Sequence, residues 1–353
     1  KIARIRDLEY LSYENLFADE STPIDFTISP DLIASSYIKK LIKYQGTKQV
    51  FNFSSEADCF INITFNEDNN TENTIQYYQQ ACEKFNSKIC AFIRNDKLYS
   101  IEAGDTIEDG DELLFICKEE NIEDITKLFG HNKNNRRIMI AGGGNIGKHL
   151  SENIRESYQV KVIESNEERA EYLSEILDNV TIINADSSNE DILLEENIEH
   201  MDVFCALTND DEANILSAML AKKLGSKTVI SIINKISYSD LLEKQEIDIT
   251  VSPEDLTMGA LLTHVRKGSV LKVHSLMRGN LELLELEVRD KENSKTIGKN
   301  LEQINTPENT IMCCIIRDEI IIFDMTNILL EKSDRLVCLV NKKDVKQIEE
   351  LFE

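Results

Sequence analysis

Residues 136–154 read RRIMIAGGGNIGKHLSENI, and the fold follows from this stretch. The apolar run before the glycines predicts a buried strand, and the apolar residues after them recur at helical spacing. Between the two lies the pattern G-x-G-x-x-G, formed by Gly142, Gly144 and Gly147. A loop of this kind between a strand and a helix is typical of a dinucleotide-binding turn, in which the helix amides face a pyrophosphate.

Each glycine has a separate predicted role. Gly142 permits the tight turn, Gly144 lets the backbone approach the phosphates, and Gly147 lets the helix and strand pack closely. Because a glycine string alone is weak evidence, the surrounding pattern matters. A second predicted strand, 160–163, ends at Glu164, which lies 22 positions after Gly142. An acid at that place accepts hydrogen bonds from ribose hydroxyls and disfavours a 2′-phosphate, so the sequence favours NAD over NADP.

Strands and helices alternate through the rest of this region. Predicted helices at 166–177 and 211–224 separate predicted strands at 180–183, 203–207 and 228–232. This alternation predicts a parallel sheet covered on both faces, with ligands at the carboxyl ends of its strands. Four polar residues follow those strand ends: Glu164, Asp186, Thr208 and Asn209. Any one of them alone would suit a helix N-cap, but together they predict the rim of a binding site.

The chain also repeats itself at a constant offset of 223 positions. IDFTISPDL at 24–32 matches IDITVSPED at 247–255, and DELL at 111–114 matches DRLV at 334–337. Upstream, with a small gap, KIARIR at the start of the chain corresponds to KTVISI at 227–232. Only the second copy carries the glycine loop. The chain therefore reads as a tandem repeat that lacks the front of its first copy.

The remaining segments predict small modules without catalytic groups. Residues 46–129 and 270–353 each predict three or four short strands with one or two helices. The stretches before them, 31–44 and 254–267, carry apolar residues at helical spacing and predict connector helices.

Composition excludes several partners. The 39 Lys and Arg residues face 64 Asp and Glu residues, so the formal charge of −25 disfavours nucleic acid and anionic lipid. None of the eight cysteines forms a CxxC pair, and most lie in apolar runs. They are predicted to be buried free thiols rather than metal or redox sites. No apolar run approaches the roughly 18 residues that span a bilayer.

An NAD-dependent oxidoreductase is the alternative function, because Rossmann folds often belong to such enzymes. Hydride transfer needs a positioned acid or base beside the nicotinamide. Tyr44 and Lys48 match the YxxxK pattern of short-chain dehydrogenases, but they precede the glycine loop instead of following it. We therefore interpret this match as chance and predict that the chain is not an enzyme.

Several motifs together resemble the TrkA family of potassium uptake regulators. They are GGGNIG at 142–147, NADSS at 184–188, TNDDEAN at 208–214, SAMLAKKLG at 217–225, LLTHVRK at 261–267 and RIRDLEY at 4–10. The resemblance covers essentially the whole chain. It implies an α/β protein of tandem RCK units (regulators of potassium conductance), each a Rossmann-type N-part followed by a small α+β C-part. The chain departs from the family in having one glycine loop where the family has two.

The resemblance divides the chain into four parts. These are a remnant of the first RCK N-domain with its connector helix (1–45), the first C-domain (46–130), the complete second N-domain (134–253), and the second connector with its C-domain (254–353).

The resemblance also implies ligands and roles. NAD or NADH, with ATP and ADP as further candidates, would be sensed rather than consumed. The phosphates would be held by Gly142, Gly143, Gly144, Asn145, Ile146 and Gly147. Glu164 would hold the ribose, and Arg169 would touch phosphate or ribose. Asp186 would lie near the adenine, and the far rim would consist of Thr208, Asn209 and Glu212.

The implied partners are an integral-membrane potassium transporter and further copies of the chain, as a dimer or tetramer. The resemblance places the protein in the cytoplasm, held at the inner face of the membrane only through the transporter.

Overall fold

The glycine loop joins a strand to a helix, as its sequence predicts. The computed structural model describes residues 1–5, 24–67, 72–102, 104–131, 136–235, 238, 247–265, 269–289 and 296–352. Most of the RIRDLEY motif and the last residues of the predicted second connector helix lie outside these ranges.

The first half of the described chain contains seven strands and three helices. In order they are β1 (Ile2–Arg4), β2 (Phe26–Ile28), α1 (Pro30–Lys43), β3 (Thr47–Asn52), β4 (Asp58–Thr64), α2 (Ile75–Glu83), β5 (Lys88–Arg94), β6 (Lys97–Ser100), β7 (Glu112–Lys118) and α3 (Ile122–Leu128).

The second half begins with the glycine-loop strand. Its described elements are β8 (Arg137–Ala141), α4 (Asn145–Ile154), β9 (Gln159–Glu164), α5 (Glu167–Ile176), β10 (Val180–Asn184), α6 (Glu190–Glu195), β11 (Val203–Ala206), α7 (Asp211–Lys223), β12 (Thr228–Ile232), β13 (Ile249–Val251), α8 (Pro253–Val265), β14 (Val270–Leu276), β15 (Leu281–Glu287), β16 (Ile311–Arg317), β17 (Ile320–Ile322), β18 (Arg335–Asn341) and α9 (Val345–Phe352).

These elements form two compact units. The first unit contains residues 1–43 and 133–257, and the second contains 44–132 and 258–353.

The first unit is built on a six-stranded parallel sheet in the order β10-β9-β8-β11-β12-β13. This is the 3-2-1-4-5-6 order of a Rossmann fold, which confirms the predicted fold class. The central strands β8, β11 and β12 are largely buried because helices cover both faces, and Met139, Phe204 and Leu193 belong to the core of one face. The sixth strand, β13, was not predicted from the sequence.

The β1–β2 pair of the first repeat matches the β12–β13 edge of that sheet. β1 pairs in parallel with β2, as β12 pairs with β13. Ile2 lies opposite Phe26, whereas Ile230 lies opposite Ile249. Phe26 and Ile249 keep the offset of 223, but Ile2 and Ile230 are 228 apart. The alignment of KIARIR with KTVISI, which implies 226, is therefore wrong by two residues. Strand side chains alternate with a period of two, so a two-residue slip preserves the hydrophobic pattern and escapes detection.

The second unit contains two antiparallel five-stranded sheets with the same topology, β3-β4-β7-β5-β6 and β14-β15-β18-β16-β17. The prediction of three or four strands for each was too low. In each sheet the fourth strand along the chain is short: β6 is largely exposed, whereas β17 is the apolar run Ile-Ile-Ile with Ile321 buried. Each follows a two-residue turn with positive φ, at 95–96 and 318–319. Such turns suit the twist of a hairpin.

The two modules of this unit contain the same buried ion pair. Arg94 donates to both carboxylate oxygens of Asp111, at 2.9 and 2.6 Å. Arg317 donates in the same way to Asp334, at 2.7 and 2.8 Å. Arg317 lies 223 positions after Arg94, and Asp334 lies 223 positions after Asp111. The repeat therefore extends to individual side-chain contacts.

The two modules pack on each other, and one of the contacts joins equivalent residues. The rings of Phe51 and His274, again 223 apart, stack with centroids 4.3 Å apart. The carboxylate of Glu285 accepts hydrogen bonds from the backbone N–H and the hydroxyl of Ser54, at 2.8 and 2.7 Å. Burial raises the pKa of Glu285, against the opposing effects of Ser54 and Arg335.

Three further expectations from the sequence can be compared with the structure. All eight cysteines are buried with free thiols, as predicted. Within the described ranges, no helix is long and apolar enough to cross a membrane. Tyr44 donates to Glu119 at 2.5 Å and Lys48 is paired with Glu112 at 3.1 Å, so both residues of the YxxxK match are engaged in structural contacts of the second unit.

Candidate nucleotide-binding site

The first glycine of the loop occupies a position that only glycine fits. Gly142 has φ 104°, a region that other residues rarely adopt. A Cβ there would lie 2.9 Å from the backbone nitrogen of Thr208 and 3.0 Å from the carbonyl oxygen of Leu207. The turn therefore brings the end of β8 directly against the end of β11.

Gly147 and Gly143 are closed in by neighbouring atoms. A Cβ on Gly147 would overlap the carbonyl oxygen of Gly142, so α4 leaves no room for a side chain where it meets the turn. A Cβ on Gly143 would overlap the side chain of Leu173 and approach Glu164. Gly147 is therefore required by packing against backbone, whereas a side chain at Gly143 would have to displace the end of the Leu173 side chain.

Gly144 differs, because a Cβ there would meet no atom within 4 Å. It is the N-cap of α4, and as a glycine it has no side chain to accept the first amides; among the described residues no other side chain is bonded to them. A helix of ten residues thus begins at an open surface, where its first amides and its dipole favour an anion. Ile146 is half-buried in the same first turn, and Asn145 is exposed.

Glu164 and Arg169 brace the loop from the side. One carboxylate oxygen of Glu164 accepts the N–H of Gly143 at 2.7 Å, and the other accepts the N–H of Asn166 at 2.9 Å. Nε of Arg169 donates to the carbonyl of Gly143 at 2.8 Å. A carboxylate has about four acceptor positions, so Glu164 keeps capacity for further donors such as ribose hydroxyls.

A cationic and aromatic cluster lies beside this brace and was missed in part by sequence reasoning. The guanidinium of Arg169 lies 5.1 Å from the ring centroid of Tyr172, and Nζ of Lys148 lies 5.9 Å from the same centroid. The spacing of Lys148 and Tyr172 gave no signal, because they lie on different helices.

Asp186 follows β10 at the same edge of the sheet. Its carboxylate accepts the N–H and the hydroxyl of Ser188, at 2.9 and 2.8 Å. These bonds lower the pKa of Asp186. The adjacent Ala185 donates its N–H to the carbonyl of Glu164, which ties this strand end to its neighbour.

Thr208 is held by Asn214, a fully buried residue at the end of the TNDDEAN motif for which the sequence predicted no role. Oδ1 of Asn214 accepts the N–H and the hydroxyl of Thr208, at 2.8 and 2.7 Å. Its amide donates to the carbonyls of Thr208 and Ile232, at 3.0 and 3.1 Å. One side chain therefore fixes the ends of β11 and β12. Its burial and its bond to Ile232 depend on tertiary structure, so the local sequence does not reveal the role.

The other two predicted rim residues are exposed. Asn209 lies on the surface beside Thr208. Glu212, in the first turn of α7, accepts hydrogen bonds from Tyr238 and Lys235. The bond from Tyr238, the backbone N–H of Glu212 and Lys235 together lower the pKa of Glu212 to about 2. The structure thus brings Gly142, Gly143, Glu164, Arg169 and Thr208 together and orients Glu212 toward a separate pair of residues.

The first repeat also reaches the loop. Nδ2 of Asn145 donates to the carboxylate of Asp31 at 3.0 Å, and helix α1 packs along α4. This contact joins residues 114 positions apart and was not predicted.

The comparisons with known proteins agree with this architecture. Residues 138–253 match the TrkA-N domain model. The crystal structure of the GsuK RCK domain aligns with 99% of this chain and 74% of its own, with a TM-score of 0.55 at 15% identity. A GsuK channel structure described as bound to NAD aligns with 99% of this chain and 62% of its own, with a TM-score of 0.53 at 14% identity. At such identities these matches establish the fold, which is that of tandem Rossmann-type RCK units.

Full-length sequence relatives identify the family. The Trk system potassium uptake protein TrkA of Halomonas elongata is 37% identical over an alignment of 358 residues, which covers all of this chain and 78% of the relative. The TrkA proteins of Vibrio alginolyticus and Haemophilus influenzae are 37% and 36% identical over the same share. The chain belongs to the TrkA family of Trk potassium uptake proteins.

Proposed function

We propose that this chain is a nucleotide-sensing regulatory subunit of a potassium transporter, with NAD or NADH as its ligand and ATP or ADP as competitors. The observation that carries the proposal is the uncapped start of α4 at Gly144, which is open for an anion beside the carboxylate of Glu164. A helix N-terminus and a neighbouring acid are what a pyrophosphate and a ribose require.

The proposed roles are those that the resemblance to the family implies. The backbone from Gly142 to Gly147, including Gly143, Asn145 and Ile146, binds the pyrophosphate. Glu164 binds the ribose hydroxyls, and Arg169 contacts phosphate or ribose from its position on the Gly143 carbonyl. The adenine end lies toward Asp186, and the far rim is formed by Thr208, Asn209 and Glu212.

Sensing is favoured over turnover for two reasons. The relatives are named for potassium uptake, and the similar GsuK channel is described as bound to NAD. Tyr44 and Lys48 are engaged with carboxylates in the unit that does not contain the glycine loop. An NAD-dependent oxidoreductase remains the second candidate, and a turnover assay distinguishes it.

The partners follow from family membership. We infer a membrane-embedded potassium transporter subunit, a homo-oligomeric state of two or four copies, and a cytoplasmic position at the inner face of the membrane through that transporter. Nucleotide shifts such an assembly only if it binds one conformer more tightly than another. Because the loop contacts the ends of β9 and β11 and the helix α1, a bound nucleotide has several elements on which to act.

The test is calorimetric titration of the chain with NADH, NAD, NADPH, ATP and ADP, with redox turnover assayed in parallel. Gly144→Asp places a carboxylate in the open space and is expected to abolish nucleotide binding. Asn189→Asp is the matched control, because it adds the same charge at the N-cap of α6, the helix that follows β10. Unchanged affinity in Gly144→Asp contradicts the site, and turnover with a small substrate contradicts the sensor.

A further inference from the structure

A carboxylate from the first repeat stands beside the phosphate loop of the second. Asn145 directly follows Gly144 and opens α4, and its side-chain amide donates to Asp31 at 3.0 Å. Asp31 lies in the first turn of α1, which packs along α4. The open face at Gly144 therefore has a carboxylate one side chain away, supplied by a different repeat.

The charges around Gly144 are arranged on both sides. Its preceding residue, Gly143, donates to Glu164, and its following residue, Asn145, donates to Asp31. The nearby cations are Arg169 and Lys148, and Lys148 lies 3.6 Å from Glu152. Each residue that flanks Gly144 is thus hydrogen-bonded to a carboxylate, in a segment where the helix amides favour an anion. The site attracts a phosphate, but each additional negative charge meets repulsion.

We propose that Asp31 is a specificity-determining residue that favours dinucleotides over nucleotides with a terminal phosphate. This inference rests on the proposed nucleotide site. In a dinucleotide each phosphate has one ester and one anhydride bond and carries one charge, whereas a terminal phosphate carries close to two charges near neutral pH because its second pKa is about 6. The extra charge of ADP or ATP is repelled by Asp31 more strongly than the pyrophosphate of NAD(H).

A purely structural role for Asp31 predicts something different. An acid in the first turn of a helix stabilises the helix dipole. Glu254, 223 positions later, occupies the equivalent place in the first turn of α8 after an equivalent Ser-Pro. Glu254→Gln therefore removes the same helix-terminal charge, whereas the bond to Asn145 belongs to Asp31.

The experiment compares the dissociation constants of NADH and ATP, measured by calorimetry without divalent cations, for wild type, Asp31→Asn and Glu254→Gln. We expect Asp31→Asn to lower the ratio of the ATP constant to the NADH constant by roughly three- to tenfold at low ionic strength. The effect should shrink at high salt, because salt screens exposed charges. Glu254→Gln should leave the ratio within about twofold of wild type, since its charge does not contact the loop.

The outcomes separate this inference from the one on which it rests. Absence of binding of both nucleotides to wild type contradicts the nucleotide site itself. Tight NADH binding with the same ATP-to-NADH ratio in wild type and Asp31→Asn overturns only the role of Asp31, and so does an equal change in Glu254→Gln. Asp31→Ser, which keeps a residue suited to a helix start, repeats the test if the Asn variant does not fold.

Discussion

Gly147→Ala should destabilise the Rossmann sheet, whereas Gly144→Ala should not. The methyl group added at Gly147 would overlap the carbonyl oxygen of Gly142, which is backbone and cannot rotate away. Overpacking costs about 1–3 kcal/mol, and we expect the upper end here. At Gly144 the methyl group meets nothing within 4 Å. The loss of a glycine N-cap, a few tenths of a kcal/mol, is offset by the reduced entropy of the unfolded chain, roughly 0.4–1 kcal/mol.

Amide hydrogen exchange at strand β8 measures this difference locally, which is preferable because the chain has two compact units that need not unfold together. A loss of about 3 kcal/mol corresponds to roughly 100-fold faster exchange in Gly147→Ala. Gly144→Ala should exchange at nearly the wild-type rate while losing nucleotide affinity. Equal exchange rates in the two variants would refute the assignment of Gly147 to packing and of Gly144 to ligand.

Three further predictions concern buried and charged groups. Asn214→Ala should destabilise the first unit by about 2–4 kcal/mol, because it leaves several buried backbone groups unpaired. Urea unfolding measures this loss. As the control, Asn209→Ala at an exposed position should cost at most about 0.5 kcal/mol. Burial raises the folded-state pKa of Glu285, so its contribution to stability is present below the unfolded value of about 4.3 and is lost as pH rises through the raised pKa. Wild type should therefore lose stability relative to Glu285→Gln between acidic and neutral pH, and parallel pH profiles of the urea midpoint would contradict this. Glu164→Gln should weaken NADH binding roughly 10- to 100-fold and NADPH binding less, because hydrogen bonds to a charged group contribute about 1.5–3 kcal/mol; equal losses in calorimetry would argue against ribose recognition.

The Rossmann fold was predictable because its signals are local. The strand, glycine pattern and helix at 136–154 are contiguous, and the alternation that follows has the periods of strands and helices. The internal repeat was equally visible, because its offset in the sequence is constant. In the structure the same offset relates single contacts, such as Arg94 with Asp111 and Arg317 with Asp334.

What escaped prediction depends on contacts between distant residues or on very short strands. The register of β1 could not be fixed, because a shift of two residues leaves the hydrophobic pattern intact. The predicted number of strands in the two modules was too low, because strands of four and three residues such as β6 and β17 are too short to show a strand period. The role of Asn214 and the contact of Asp31 with Asn145 exist only once the helices and strand ends have assembled.

Amide hydrogen exchange with and without saturating NADH tests the central claim most directly. We expect slower exchange of the amides from Gly144 to Lys148, at the open start of α4, and little change in the β1–β2 pair, which carries no glycine loop. Unchanged exchange at 144–148, or protection confined to other segments, would contradict the claim that this loop binds the nucleotide.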